Sequence, residues 1–352
     1  MAGTMLQLIG DETLLQQFVA GLSTTTLLII IAVCIALLSQ GADWMIDGVV
    51  DLAERTGLPK IVIGATVVSL GTTLPEAFVS VMAAYMGNPG LALGNGVGSI
   101  IADTGLIFGL TCVLVAVPVN RYILNRTGWV QVGSGTLLVV IAVVLLLNTP
   151  PESEPMLNRW VGFFFLVLLL IYLYVTYLWA KQSEGMTQED GEQEALMGQG
   201  LCWLLVIGGL LLVVIGARVL VPSASEIAYR FGVPEDVIAA TMVAFGTSLP
   251  ELMTAIAAVR KGHPEITVGN IVGADVLNVL FVIGAAAAAA PLAIPANFYY
   301  FHFPAMLIIL YSFRVFITMN KTVFHRWQGF WLLGVYGTYV FLQYALNVGA
   351  AH

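Results

Sequence analysis

Charge is what this 352-residue chain has least of: Asp, Glu, Lys and Arg together make up 10%, against 59% hydrophobic residues. A water-soluble fold of this size could not cover its surface with so few charged groups, so an integral membrane protein is expected. Lys and Arg number 13 against 21 Asp and Glu, a net charge of −8. No basic stripe exists to track phosphates, which excludes nucleic acid as a partner. Cysteine is scarce as well: Cys34, Cys112 and Cys202 fall inside apolar stretches and lack metal-ligand spacing, so they are read as small packing residues. Asp11 and Glu12 stand where a secretory signal would carry Lys or Arg, and no cleaved targeting segment is expected.

Apolar runs of about 20 residues are abundant, each long enough as a helix to cross roughly 30 Å of hydrocarbon. Ten are found, at about 23–43, 61–85, 91–118, 129–148, 160–180, 200–221, 236–259, 266–291, 299–318 and 327–348. This pattern predicts an all-α membrane bundle of about ten transmembrane helices. Ten Lys and Arg residues, from Arg55 and Lys60 to Lys321 and Arg326, fall in the loops at one end; only Arg159 and Arg230 occupy the opposite loops. Positive loops face the cytoplasm, so both termini are expected outside and the acidic 181–199 linker inside. After the first span Asp43, Asp47, Asp51 and Glu54 form one polar stripe, read as an amphipathic continuation of the helix at the cytoplasmic interface.

The chain repeats itself. Gly71-Thr72-Thr73-Leu74-Pro75-Glu76 recurs as Gly246-Thr247-Ser248-Leu249-Pro250-Glu251, an offset of 175, and 21 of the 55 positions from Arg55 to Gly109 are identical in the second copy. The expected domains are therefore 23–180 and 200–348, joined by the linker. Five spans per copy is an odd number, so the second copy enters the membrane from the opposite face. Inverted repeats of this kind are typical of secondary transporters, whose binding site lies near the midplane where the halves meet.

Within each hexapeptide the proline lacks an N–H and crowds the carbonyl four residues back, so the helix is expected to open there. Backbone oxygens at Ser69 and Ala244, hydroxyls of Thr72, Thr73, Thr247 and Ser248, and the carboxylates of Glu76 and Glu251 would then gather at one depth. The next span brings Gly94-Asn95 with Gly98, and Gly269-Asn270 with Gly273. Glycines four apart allow close helix approach. Ser99 and Asp103 share the glycine face, and Asp103 and Asn278 would point at the glutamates. Unpaired carboxylates cost several kcal/mol each in such a place. No Lys or Arg stands within these spans away from their ends, so bound cations or protons must supply the positive charge. Oxygen ligands without His or Cys fit Ca²⁺ or Na⁺ rather than zinc or copper.

At these residues the chain resembles the cation/calcium antiporter superfamily, in its sodium/calcium exchanger branch of prokaryotic type without a large regulatory domain. The resemblance covers an alpha-1 motif at 55–117 and an alpha-2 motif at 230–291. It implies exchange of Ca²⁺ against Na⁺ by alternating access, with the first and sixth spans sliding across the bundle. No cofactor and no obligatory protein partner is implied beyond the ions and the lipid bilayer. Carried over, Glu76 and Glu251 would be shared Ca²⁺ and Na⁺ ligands, Asp103 and Asn278 would complete the centre, and Thr73, Ser99, Ser248 and the Ser69 and Ala244 carbonyls would line flanking Na⁺ sites. Proton/calcium exchange by a relative of the same superfamily is the alternative, and an uncoupled channel or uniporter is a weaker one. An intramembrane aspartyl protease, prompted by Asp103 and Asp275, is excluded by the missing Gly-x-Gly-Asp and Tyr-Asp contexts.

Ser99 faces Ala274 across the repeat offset, the one clear loss of a ligand oxygen. Ala274→Ser should therefore raise apparent Na⁺ affinity about five-fold and Ser99→Ala lower it by a similar factor, as expected for a contact worth ~1 kcal/mol. A Na⁺ titration of Ca²⁺ efflux reads both, and curves that do not move would contradict the assignment.

Overall fold

The computed structural model describes residues 12–119, 121–150, 153–183, 197–231, 248–320 and 322–345. A short helix α1 (Glu12–Ala20) leads into α2 (Thr24–Thr56). Ser23 Oγ accepts from Thr26 N at 3.1 Å to cap α2, and Gly57, at φ 67°, ends it. Then follow α3 (Lys60–Tyr85), α4 (Pro89–Leu114), α5 (Arg121–Asn148), α6 (Arg159–Ser183), α7 (Gln199–Arg230), α8 (Leu249–Arg260), α9 (Pro264–Ala289), α10 (Phe298–Met319) and α11 (Arg326–Ala345). A two-residue antiparallel pair, β1 (Met156–Leu157) with β2 (Leu292–Ala293), ties the loop after α5 to the loop after α9.

Among the described residues eight helices, α2 to α7 with α9 and α10, are long and apolar enough to cross a membrane. The expected span 236–259 is described only from α8 onward, since residues 232–247 lie outside the described set. Helix α11 coincides with the expected 327–348, but its Gln, Gly, Trp and Tyr residues dilute its hydropathy. The duplication is visible in the boundaries: α2 and α7 begin at 24 and 199, while α4 and α9 span 89–114 and 264–289, each pair separated by 175.

The equivalent helices α2 and α7 pack antiparallel along a seam of small residues. Gly48 meets Cys202 and Val206, Gly41 meets Gly209, and Gly216 meets Leu38, in opposite order along the two helices. Cys202 Sγ donates to the Gly48 carbonyl at 3.0 Å, so this cysteine packs and caps. The centre of the bundle is elsewhere. In its most apolar stretch α9 is 83% buried, α4 72% and α3 67%, against 28% for α2 and α7. Around α4 and α9 the core closes on Ile100, Phe108, Phe313 and Val276.

Two expectations are corrected. Pro75 does not open its helix: α-helical structure runs unbroken over Ser69–Tyr85, and the wide turn lies upstream as a π segment at Gly64–Val68. A proline removes one hydrogen bond and bends a helix, but neighbouring bonds can carry the helix past it. Further π segments begin at Asp103 and at Asn278, and such turns mark functional sites more often than chance. The acidic stripe, in turn, does not lie free at an interface. Asp51 accepts from Arg55 Nε at 2.7 Å and from Met197 N at 2.9 Å, Asp47 pairs with Lys261 at 2.6 Å, and Asp43 with Arg260 at 3.8 Å. The reason is that α2 is one helix of 33 residues, ~50 Å long at 1.5 Å per residue, and its end reaches the basic turn between α8 and α9.

A Cβ added to Gly209 would lie 2.4 Å from the Gly41 carbonyl and 2.7 Å from Met45 N, both rigid backbone atoms. Gly209→Val should force α2 from α7 and lower the unfolding midpoint in detergent by several degrees. Gly208→Val, where no described atom stands within 4 Å, is the comparison. Equal midpoints for the two variants would show that the seam is not under this constraint.

Candidate functional site

Glu76 is carried on α3 one residue after Pro75, and Glu251 on the first turn of α8 one residue after Pro250. Both are buried, at 1% and 2% exposure. Asp103 opens the π segment of α4 and Asn278 that of α9, and each is 1% exposed. The predicted carboxylates come together: Glu251 lies within electrostatic reach of Glu76 and Asp103 and beside Thr72, and Asp103 acts on Glu76 in turn. Ser248 stands beside Asp103. The π segment at Asn278 packs against the Ser69–Tyr85 helix and against α4, where Gly96 lets a neighbour approach the Asn278 carbonyl.

The hydrogen-bond inventory is what distinguishes this centre. Buried polar atoms in proteins nearly always have partners. Here Thr73 Oγ1, both oxygens of Glu76, Ser99 Oγ, Asp103 Oδ1, Ser248 Oγ, Glu251 Oε2 and Asn278 Oδ1 are buried and have none. They belong to seven of the eight predicted side-chain ligands that are described. The eighth is engaged: Thr72 Oγ1 donates to the Ser69 carbonyl, itself a predicted backbone ligand, and to Asn270 Oδ1, both at 3.4 Å. Ala244 and Thr247 lie outside the described residues, as does most of the acidic linker.

No ion pair among the described residues includes these carboxylates. Among the described residues the ion pairs are Asp51 with Arg55, Glu226 with Arg230, Asp43 with Arg260, Asp47 with Lys261, and Glu265 with His263. None of them includes Glu76, Glu251 or Asp103. Each unsatisfied buried group costs about 1–3 kcal/mol, and more when charged, so ions or protons that satisfy these oxygens would stabilise the centre. Among the described residues no three Asp, Glu, His or Cys side chains converge as a ready metal cage. The three carboxylates face one another without closing into a coordination shell, and hydroxyl, amide and carbonyl oxygens are needed to complete one. An all-oxygen set of this kind suits hard cations.

The spacing of helices around the centre is set by glycine. A Cβ on Gly269 would fall 2.0 Å from the Ile61 carbonyl, and one on Gly273 2.5 Å from the Ala65 carbonyl and 2.6 Å from Ser69 Oγ. Thus α9 touches α3 backbone to backbone, as the small-xxx-small pattern predicts. In the first copy no described atom stands within 4 Å of a Cβ placed on Gly98. Sequence reasoning missed the work of the two Gly-Asn asparagines. Asn95 Nδ2 donates to the Glu76 carbonyl at 3.0 Å and to Ser80 Oγ at 2.9 Å, and Asn270 Nδ2 donates to Thr254 Oγ1 at 3.3 Å. They fasten the glutamate helices to their neighbours. Their recurrence at the 175 offset was the available signal.

A multi-pass helical membrane protein with a dry, all-oxygen, negatively charged centre is a cation carrier by class, and the comparisons with known proteins agree. The model of the sodium/calcium exchanger protein family matches residues 26–178 and 201–345. The chain belongs to that family of membrane ion exchangers. It is 31% identical to the inner membrane protein YrbG of Escherichia coli over 93% of this chain and 98% of the relative. It is 27% identical to the sodium/calcium exchanger MaX1 of Methanosarcina acetivorans over 88% of this chain and 95% of the relative. Among solved structures it is similar to the sodium-calcium exchanger NCX_Mj, with a TM-score of 0.75 at 26% identity, covering 94% of this chain and all of the other.

Glu76→Gln and Glu251→Gln should each weaken ⁴⁵Ca²⁺ binding to the purified protein at least 100-fold, since losing one charge at a desolvated ionic contact costs about 3–5 kcal/mol. Their unfolding midpoints in cation-free buffer should stay level or rise, because each removes an unpaired buried charge. Binding retained alongside a lowered midpoint would mark the glutamates as structural.

Proposed function

We propose that this protein exchanges Ca²⁺ for Na⁺ across a cell membrane by alternating access. The observation that carries the reading is the set of buried, partnerless oxygens on Glu76, Glu251, Asp103, Asn278, Thr73, Ser99 and Ser248. Ca²⁺ takes six to eight oxygens, and this set, with the Ser69 and Ala244 carbonyls and with Thr72 and Thr247, offers enough of them. Two glutamates and an aspartate carry more negative charge than one Ca²⁺ neutralises, which leaves room for several Na⁺ in its place. Binding of one ion class then excludes the other by charge alone, the condition for coupled counterflow.

The architecture supports the same reading. The duplication, the 175 offset in helix boundaries and the antiparallel seam of α2 with α7 are what two inverted five-span repeats, 23–180 and 200–348, would give. Because α2 and α7 bury their surface chiefly against each other, they can slide as a pair across the central helices. The contacts of Asp43 and Asp47 with Arg260 and Lys261 would hold the pair in one position. Both termini are placed outside and the linker in the cytoplasm by the positive-inside rule. H⁺-driven Ca²⁺ exchange is the second reading, since carboxylates without a protein counter-charge accept protons as well as metal ions.

⁴⁵Ca²⁺ uptake into proteoliposomes separates the two. Uptake should follow an outward Na⁺ gradient, vanish when that gradient is dissipated, and proceed without an applied potential. Uptake driven by a pH gradient alone, in the absence of Na⁺, would replace Na⁺ with H⁺ as the driving ion.

A further inference from the structure

Among the described residues two buried carboxylates lie outside the proposed exchange set: Asp51, which is paired with Arg55, and Asp275, which forms no ion pair. Asp275 of α9 stands where the first repeat has Ile100, and it is 1% exposed. Its Oδ2 accepts two hydrogen bonds, from Thr104 Oγ1 on α4 at 2.5 Å and from Gln131 Nε2 on α5 at 2.6 Å. Gln131 Nε2 also reaches Thr104 Oγ1 at 3.4 Å. Thr104 is fully buried and Gln131 1% exposed, so three helices have built this group in the dry interior. Nothing in it serves the ligand set described above.

The other face of the group is bare. Asp275 Oδ1 and Gln131 Oε1 are both buried and without a partner, and so is Oδ1 of Asp103, the residue before Thr104. Asp103 is near enough for its charge to act on Asp275. Two donors on Oδ2 hold the Asp275 carboxylate in one orientation and leave Oδ1 to find a partner of its own. An amide oxygen has no proton to give, so Gln131 Oε1 can only accept. Buried acceptors with no donor beside them are stabilised by a cation or by a proton on one of the carboxylates. No Lys or Arg among the described ion pairs reaches Asp275. One carboxylate of its own, a neutral amide oxygen and an Asp103 shared with the central set suit a singly charged hard ion, since a divalent ion would need the denser carboxylate set next door.

We propose that Asp275, with Gln131 and the adjoining Asp103, holds one alkali cation beside the central cluster, an additional site positioned by Thr104. The proposal rests on the reading that the cluster itself carries Ca²⁺ and Na⁺. In that setting the extra ion offsets the Asp275 carboxylate and adds one monovalent cation to the complement of the loaded carrier. The site is a consequence of the asymmetry between the repeats, because Ile100 can hold nothing of the kind.

Equilibrium binding to the full-length purified protein in detergent tests this, with ²²Na⁺ and ⁸⁶Rb⁺ used in separate arms to distinguish Na⁺ from a larger alkali ion, and ⁴⁵Ca²⁺ binding measured on the same samples. Asp275→Asn should bind one fewer alkali cation per chain at saturation while retaining ⁴⁵Ca²⁺ binding. Gln131→Leu should keep the count and bind that ion about ten-fold more weakly. If Asp275→Asn elutes as aggregate, the Gln131→Leu titration decides instead. Unchanged ²²Na⁺ and ⁸⁶Rb⁺ isotherms in the folded variants would overturn the site, and so would a variant that loses only a proton released on Ca²⁺ binding. If wild-type proteoliposomes show no Na⁺-driven Ca²⁺ exchange, the exchange reading falls, while the cation count of Asp275→Asn still decides this site.

Discussion

The structure depends on one electrostatic constraint: several carboxylates share a dry space at the middle of the bundle and no Lys or Arg meets them. Such groups are costly to bury unpaired, and no ion pair among the described residues includes them. On the proposed reading exchangeable cations, or protons, supply the positive charge. The partnerless hydroxyls of Thr73, Ser99 and Ser248 and the amide oxygen of Asn278 follow from the same constraint. On the proposed reading these are the oxygens that a cation takes.

The surrounding helices are arranged to keep this space narrow without filling it. Backbone contact at Gly269 and Gly273 brings α9 onto α3, where a larger residue would push the ligands apart. The π segments at Gly64, Asp103 and Asn278 shift the helical register at ligand depth, and Asn95 and Asn270 fasten the glutamate helices on either side. Around this tight centre the α2 and α7 pair is bound by its own glycine seam. A rigid middle and a separable outer pair are what a carrier needs in order to expose one site to two sides in turn.

Much of this was legible in the sequence because duplication amplifies weak signals. A single Gly-Thr-Thr-Leu-Pro-Glu could be packing, but its return at an offset of 175 singled out Glu76 and Glu251, and the Gly-Asn blocks led to Asp103 and Asn278. Local rules did less well where tertiary contacts decide. Pro75 announced a broken helix, yet the chain bends past it and puts its wide turn a few residues earlier. The Asp43 to Glu54 stripe resembled a surface face because its partners, Arg260 and Lys261, are more than 200 residues away. Gln131 carried no signal at all: it has no counterpart motif, and its neighbours Thr104 and Asp275 meet it only in three dimensions. Asp275 was visible as a break in the repeat, but its role depended on what faced it.

The central claim is that the oxygens of Glu76, Glu251 and Asp103 surround a divalent cation. Anomalous diffraction from crystals of the protein soaked in Sr²⁺, a heavier stand-in for Ca²⁺ with the same preference for oxygen ligands, tests it most directly. The account predicts one strong peak between these three carboxylates, abolished when Na⁺ is raised in the soak. A peak elsewhere in the bundle, or none at this point while Sr²⁺ still inhibits Ca²⁺ binding, would contradict it.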